Sequence, residues 1–399
     1  MTQRFEVTPE ILLENFNKIY GTNDFPIRVF SAPARINIIG EHIDYNGGKV
    51  FPTAINKYLY VAIRKRNDSK LFYNDLFFPG TFEFDINDNF SYKKENDYAN
   101  FLNGILSIIK SKGYNFLCGF EVLIASNVPA AGGISSSSAL ECGFAWAVAK
   151  TFDFNLSKKE IALIGQQSEH DFINVNCGIM DQYIISTGTQ NFAELLDCAK
   201  IEHTNVPLNL GNYEFVVMNT KKQRKLSDSK YNERRGQCEE GLRILQKNGI
   251  KIDNLCQLSL EDLKKVGNFI TDDVIFRRVR HCITENQRVL DAVKALTQND
   301  IITLGKLLYE SHESLKTDYE VTGLELDTLI EAAKKQDGCI GARMTGAGFG
   351  GCAIAIVEKS KIDDFIENNR SINSYLEKIE SKMNEMSKLF IDMVGEQDE

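Results

Sequence analysis

Residues 127–140 read NVPAAGGISSSSAL. The preceding GFEVLIAS (119–126) has the apolar, β-branched character of a strand, and residues 136–151 read as an apolar helix. A strand therefore enters a turn of two glycines and four serines, and a helix leaves it. Gly132 and Gly133 permit backbone conformations closed to other residues and let a ligand come close to the chain. The first N–H groups of a helix lack partners within it and carry the positive end of its dipole, so the junction makes an anion site. The serine hydroxyls add donors for phosphate or oxygen ligands for magnesium. A plain serine N-cap accounts for one of these residues, but poorly for four after two glycines. No lysine follows the glycines in the G-x-x-x-x-G-K-[ST] spacing of a Walker A loop. The H-R-D and D-F-G motifs of protein kinases are absent from the sequence as well. Phosphoryl transfer on this loop needs a third design.

Upstream, residues 34–48 read ARINIIGEHIDYNGG. An apolar run suited to a buried strand ends at Gly40 and gives way to Glu41, His42 and Asp44, with Arg35 just before it. Two carboxylates and an imidazole at a strand end can bond several hydroxyls of a small polyhydroxylated ligand; a charged turn after a strand is the plainer alternative. An acidic pair follows downstream. Glu169 lies on a helix predicted over about 157–172, and Asp181 lies in CGIMDQ (177–182), beyond a turn at Gly178. One acid can hold magnesium while the other works on a substrate hydroxyl. A solvated helix face is the ordinary reading for Glu169. It suits Asp181 less, because that residue sits among Cys177, Ile179, Met180 and Tyr183, and a buried aspartate needs partners. The segment CIGARMTGAGFGGC (339–352) contains a nominal G-x-G-x-x-G, but the strand-like CAIAIVE follows it where a dinucleotide fingerprint requires a helix. A tight glycine turn is the better reading, as a structural turn or as a site wall.

The 399 residues suffice for two domains with real cores. A net charge of −9 argues against non-specific binding to nucleic acid or to anionic membrane, both of which reward basic surfaces. The basic run 221–225 (KKQRK) reads as a solvated face. Nine scattered cysteines with no C-x-x-C argue against a disulfide framework or zinc site and for a reducing compartment. Neither a signal peptide nor a membrane-spanning stretch is evident, so a soluble, cytoplasmic protein is expected. Thr8-Pro9-Glu10 opens a helix that Gly21 ends. Strands are expected at 27–31, 50–63, 119–126, 214–219 and 352–358, and surface hairpins over 67–95. Helices are expected over about 228–248, 272–296, 302–318, 323–336, 360–368 and 371–392. This is an α+β pattern of two closely packed halves, with a boundary near 205.

Taken in order, these segments resemble the galactokinase branch of the GHMP small-molecule kinases across residues 27–355. ARINIIGEHIDYNGG resembles the family's sugar-site signature, NVPAAGGISSSSAL its phosphate loop, CGIMDQ its catalytic-aspartate segment, and CIGARMTGAGFGGC its third motif. The resemblance implies an N-terminal ribosomal-protein-S5-like domain (1–205) that binds sugar and nucleotide, and a ferredoxin-like C-terminal domain (206–399), with the active site between them. It implies ATP-dependent phosphorylation of α-D-galactose at the C1 hydroxyl in galactose catabolism, with ATP as co-substrate and Mg2+ as cofactor. It implies no nucleic-acid, membrane or obligate protein partner. By the same resemblance, Asp181 is the catalytic aspartate and Arg35 its partner. Glu41, His42, Ile43, Asp44, Gly178, Asp181 and Tyr231 form the sugar site. Ala131, Gly132, Gly133, Ile134, Ser135, Ser136 and Ser137 cradle the triphosphate, Tyr98 lies against the adenine, and Ser137 and Glu169 hold the metal. Ile43 stands where the family usually has threonine, Ala34 where it often has glycine, and Ser138 extends the usual three serines. A kinase for N-acetylgalactosamine, galactosamine or arabinose, and a non-catalytic galactose sensor, remain as alternatives at this point.

Overall fold

A computed structural model describes residues 7–128, 134–222 and 227–370. The phosphate-loop positions Ala131, Gly132 and Gly133, the end of the 221–225 run and the helix expected over 371–392 therefore lie outside the described residues. The chain opens with helix α1 (Pro9–Tyr20), whose N-cap Thr8 accepts from the Ile11 N–H and whose C-cap is Gly21. Strand β1 (Arg28–Asn37) is followed by β2 (Lys49–Val50), β3 (Pro52–Lys65), β4 (Lys70–Asp75) and β5 (Thr81–Asp85). Helix α2 (Ala99–Ser111), strand β6 (Phe120–Ser126) and helices α3 (Ser136–Thr151), α4 (Lys158–Ser168) and α5 (Met180–Thr187) come next. Strands β7 (Phe192–Asp197), β8 (Glu202–Pro207) and β9 (Tyr213–Asn219) lead into the helical part. That part comprises α6 (Ser227–Lys247), α7 (Leu263–Phe269), α8 (Asp273–Thr297), α9 (Ile301–Thr317) and α10 (Leu324–Lys334). The hairpin β10 (Cys339–Thr345) and β11 (Cys352–Glu358) follows, and residues 362–370 are helical.

The first half is built on a five-stranded sheet of order β1-β3-β6-β4-β5, antiparallel except for the parallel β4–β6 pair. Its central strands are apolar on both faces because both faces are covered. Val61 and Ile63 of β3 and Phe120, Val122 and Ile124 of β6 pack with residues of α2, α3 and α4. The alternate residues Ala62, Leu123 and Ala125 meet Leu12 and Phe16 of α1, as the two-residue period of a strand requires. The stretch 67–95, expected as surface hairpins, instead places β4 inside this sheet. Polar Lys70 and Asn74 mask an inward row of Leu71 and Tyr73, both fully buried.

A small separate sheet is formed by β2-β7-β8, and in the second half β10-β11-β9 form an antiparallel sheet. The largest core joins the halves: Ile36, Ile38, Ile39 and Ile43 pack in one cluster with Val289 of α8 and Ile354 and Ile356 of β11. The apolar run before Glu41 is therefore an anchor between the halves. Arg343 of β10 reinforces it from the second half, its fully buried guanidinium donating to the carbonyls of Asn37 (3.2 Å) and Ile38 (3.0 Å).

Candidate active site

Where the anchored run ends, the polar residues that follow turn into a cavity. Its lining includes Arg35, Glu41, His42, Asp44, Ser137, Glu169, Gly178, Asp181 and Tyr231. Nine residues singled out from four distant stretches of sequence thus share one space, joined by Ser138, Met180, Gly346 and Ala347.

At its centre Arg35, from the end of β1, grips Asp181, in the first turn of α5. The guanidinium donates from Nε to Oδ1 at 2.8 Å and from Nη2 to Oδ2 at 2.6 Å. This two-point fork fixes the orientation of the carboxylate as well as its place. Burial alone would lower the Arg35 pKa, but Asp181, with Glu41 and Asp44 behind it, raises it above its ordinary value. Asp181 Oδ2 also accepts from the Ser135 hydroxyl. The side chain of Ser135, a residue of the expected phosphate cradle, is thus bonded to this carboxylate. Ser135 sits at φ 62 at the head of α3, whose first turn has no side-chain cap, so its orphan N–H groups suit an anion. Ser137 and Ser138 of that turn line the cavity, as does Glu169 at the opening of a π-helical turn that continues α4. Ile134 packs with Ala34, Val128 and Cys352, and its carbonyl accepts from the Arg35 N–H at 3.5 Å, so the loop is tied to β1. Ser136 opens α3 without joining the lining.

The opposite wall carries the acids of the Glu41–Asp44 turn. Glu41 accepts from the Gly346 N–H at 2.6 Å and from Asn37, and pairs with Arg343 at 3.4 Å. Burial pushes its carboxyl up to about 7 against the pull of Arg343 and Arg35. Asp44 is pushed up to about 6 by burial and by the Asp181 charge, while accepting from the Tyr45 and Met180 N–H groups. It thereby links the Glu41–Asp44 turn to the start of α5. Gly178 makes this link possible: a Cβ there would stand 1.7 Å from Asp44 Oδ2. Tyr231 of α6 places its ring 5.4 Å from that of His42.

One expectation changes, for Ile43. Ile43 does not contact the cavity through its side chain, which is wholly buried in the core shared by the two halves. An apolar residue between His42 and Asp44 serves the anchor, and the chain turns its polar neighbours outward around it. Tyr98 lies apart from the cavity at the start of α2, half-buried, with its ring edge-on to Phe82 at 5.2 Å and near Phe78 at 6.5 Å. The glycine-rich segment 346–351 is the turn of the antiparallel β10–β11 hairpin, and through Gly346 and Ala347 it is a wall of the site. The residues missed from sequence are Tyr45, Tyr319 and Arg343, each buried or half-buried behind the wall; Tyr45 and Arg343 lie within quoted segments without standing out there, and Tyr319 lies outside any of them.

The chain matches the galactokinase galactose-binding signature over residues 14–65, and the GHMP kinases N terminal and C terminal domains over residues 100–189 and 292–373. It is 48% identical over 345 residues to a galactokinase of Clostridium perfringens, covering 86% of this chain and 89% of that one. A crystal structure of Lactococcus lactis galactokinase complexed with galactose is 40% identical, with a TM-score of 0.87 over 92% of this chain and 94% of that one. Methanococcus jannaschii mevalonate kinase, at 20% identity, shares the fold alone, with a TM-score of 0.64 over 87% of this chain and 95% of that one. With its signature, both domains and nearly all of its length so matched, the chain belongs to the galactokinase family of GHMP kinases and has that family's two-domain α+β fold.

Proposed function

We propose that this protein transfers the γ-phosphoryl group of ATP to the C1 hydroxyl of α-D-galactose, giving α-D-galactose 1-phosphate and ADP. The observation that carries the reading is the forked Arg35–Asp181 pair, which faces a cavity walled by Glu41, His42 and Asp44 and bounded by the uncapped end of α3. Kinase chemistry makes ATP the co-substrate. Asp181 accepts the proton of the attacking hydroxyl, and Arg35 holds that carboxylate in place and offsets charge gathering on the transferred group. Glu41 and Asp44 accept from other sugar hydroxyls, and Tyr231 closes the pocket over the ring. The triphosphate lies at the N-terminus of α3, and the adenine lies beside Tyr98.

Hydroxyl and carboxylate oxygens are the donors magnesium prefers, and Ser137 and Glu169 present them to the same cavity, so the residues fit the ion. Bound there it neutralises phosphate charge. We assign residues 1–205 to sugar and nucleotide and place the start of the second domain near 206. Nine free thiols favour a reducing compartment, and we place the enzyme in the cytoplasm, acting on small molecules without a partner. No helix among the described residues is long and apolar enough to cross a membrane.

The test is ADP release from ATP and magnesium across galactose, 2-deoxygalactose, galactosamine, N-acetylgalactosamine, glucose and arabinose. Strong turnover with galactose and little with glucose is the expected result. Turnover concentrated on another sugar would move the substrate assignment, and clear galactose binding without any turnover would favour a sensor.

Two further outcomes follow from the acids of the Glu41–Asp44 turn. Gly178→Ala drives a methyl group into the space Asp44 occupies. The displaced carboxylate gives up charge-assisted bonds, so galactose affinity should fall by about 10²-fold with ATP affinity little changed. Calorimetry reads both, and an unmoved galactose affinity would remove Asp44 from the site. The second outcome concerns pH. Glu41 and Asp44 titrate above their ordinary range, at about 7 and about 6, so both are ionised acceptors above pH 7 and are protonated in turn as pH falls. Galactose KM should therefore rise on acidification, by about tenfold from Asp44 alone one unit below its value and further through Glu41, which is protonated first. A KM flat across that window contradicts the assignment.

A further inference from the structure

His42 has a protein partner on each ring nitrogen. Nε2 lies 3.1 Å from the Ala347 carbonyl, and Nδ1 lies 2.8 Å from the Tyr45 hydroxyl. A carbonyl oxygen only accepts, so Nε2 carries a proton. Burial and the neighbouring His281 hold the imidazole pKa down to about 3, so the ring is neutral and Nδ1 carries none. Every later direction is then forced. Tyr45 has one hydroxyl proton, and it goes to Nδ1. The Tyr45 oxygen lies 3.0 Å from the Tyr319 hydroxyl, which must therefore donate to it. Tyr319 has then spent its own proton, so the Cys238 thiol, 3.0 Å away, donates to Tyr319. The chain runs one way from Cys238 on α6 through Tyr319 and Tyr45 to His42, and ends on Ala347 at the cavity wall.

The surroundings over-determine the same geometry. His42 sits at φ 63, a left-handed conformation that a non-glycine residue holds only under constraint. Asn46 donates to its carbonyl at 2.9 Å. The Tyr319 ring lies 4.9 Å from the His42 ring and 4.5 Å from the His281 ring, and is fully buried between them.

We propose that Cys238, Tyr319 and Tyr45 are positioning residues for the sugar site, a one-directional hydrogen-bond chain that holds His42 as the Nε2–H tautomer. The only ring proton then sits on Nε2 at the Ala347 wall of the cavity and the imidazole has no acceptor to offer, so a sugar oxygen that receives a hydrogen bond can take that proton in place of the Ala347 carbonyl. This inference rests on the reading of His42 as a sugar ligand. The three residues touch no substrate; they act through His42. Because each link polarises the next, removing one weakens those downstream of it.

The experiment is nitrogen-15 NMR of the histidine-labelled full-length enzyme without sugar, with the His42 signals identified by their loss in His42→Gln. At neutral pH His42 should show a protonated Nε2 and a bare, hydrogen-bonded Nδ1. A protonated Nδ1 overturns the chain. Tyr45→Phe removes the donor to Nδ1 and preserves ring packing. Its Nδ1 signal should move, and galactose KM should rise about tenfold with ATP KM within about twofold. Tyr319→Phe should raise galactose KM by about threefold. Cys238→Ala should raise it by about twofold, and Cys238→Ser, which keeps a donor, should restore it. An unmoved Nδ1 signal in Tyr45→Phe, or equal rises in both KM values, overturns the positioning role. Galactose KM unmoved in His42→Gln would remove the sugar reading beneath it, while the NMR result would still report on the chain itself.

Discussion

Asp181→Asn should abolish nearly all turnover, by about 10³-fold, while galactose still binds within about tenfold of the parent. The substitution keeps the shape of the side chain and removes its charge and its basicity. Arg35 holds both carboxylate oxygens with N–H donors, at 2.8 and 2.6 Å, and an amide can answer only one of them, since its nitrogen is itself a donor. The hydroxyl proton then has no acceptor at the point of attack, and the positive charge of Arg35 loses its partner. The cavity walls at Glu41, His42, Asp44 and Tyr231 come from other elements and are left intact, so sugar recognition persists. A loose phosphoryl transition state asks little of its nucleophile, which makes the size of the loss informative. ADP release and galactose calorimetry on the same preparation separate the two effects. A loss below about tenfold would mean that positioning and charge neutralisation supply the rate and that Asp181 is not the proton acceptor.

The site was legible where its chemistry is concentrated in short runs. Arg35 to Asp44, the serines before α3, and Gly178 to Asp181 each combine polar groups with turns in a pattern that surface loops do not need. What could not be read was whatever depends on distant packing. Tyr319 is 274 residues from Tyr45, isolated in a stretch with no motif, and its role exists only once α9 and α6 are placed beside the Glu41–Asp44 turn. Arg343 sat in a segment read as a glycine turn, and its buried guanidinium became meaningful only against the carbonyls of Asn37 and Ile38. Ile43 was drawn into the site by its neighbours, although its own side chain belongs to the core. Helix α2 escaped notice because Asn100, Asn103 and Gly104 lower its intrinsic preference. Burial overrides that preference, and a Cβ at Gly104 would stand 2.4 Å from Ser168 Oγ, so the weak helix former is what lets α4 end close by. Helix α5 spans eight residues, too few to display a period. Strand β8 buries only Val206 and half-buries His203, leaving its other residues exposed, so its sequence carries little strand signal. Helices α6, α8, α9 and α10 and the apolar strands β6, β9 and β11 stand nearly at their expected ranges, since there the period and the burial agree, whereas the seven-residue α7 is too short to display a period.

Arg35→Lys tests whether charge or geometry governs the pair, and a fall in kcat of about 10²-fold is expected even though the charge is kept. Lysine carries a point charge on a flexible stem and cannot bond Oδ1 and Oδ2 together from one plane as the guanidinium does. Arg35 is 3% exposed, so water cannot fill the missing contact freely. Asp181 then turns towards whichever oxygen keeps its partner, with Ser135 on the other side, and the base leaves the line of the attacking hydroxyl. A misplacement of this order is costly because catalysis of phosphoryl transfer rests mainly on alignment. Arg35→Gln removes charge as well and should cost more, up to about 10³-fold, since one electrostatic donor in such a site is worth about 2.7–4 kcal/mol. It should also lower Tm, because Glu41, Asp44 and Asp181 converge on that guanidinium and are left facing one another. Steady-state kinetics with galactose and thermal melts of both variants give the answer. Equal kcat in the lysine variant and the parent would mean that a positive charge alone suffices and that the fork is a feature of the resting structure only.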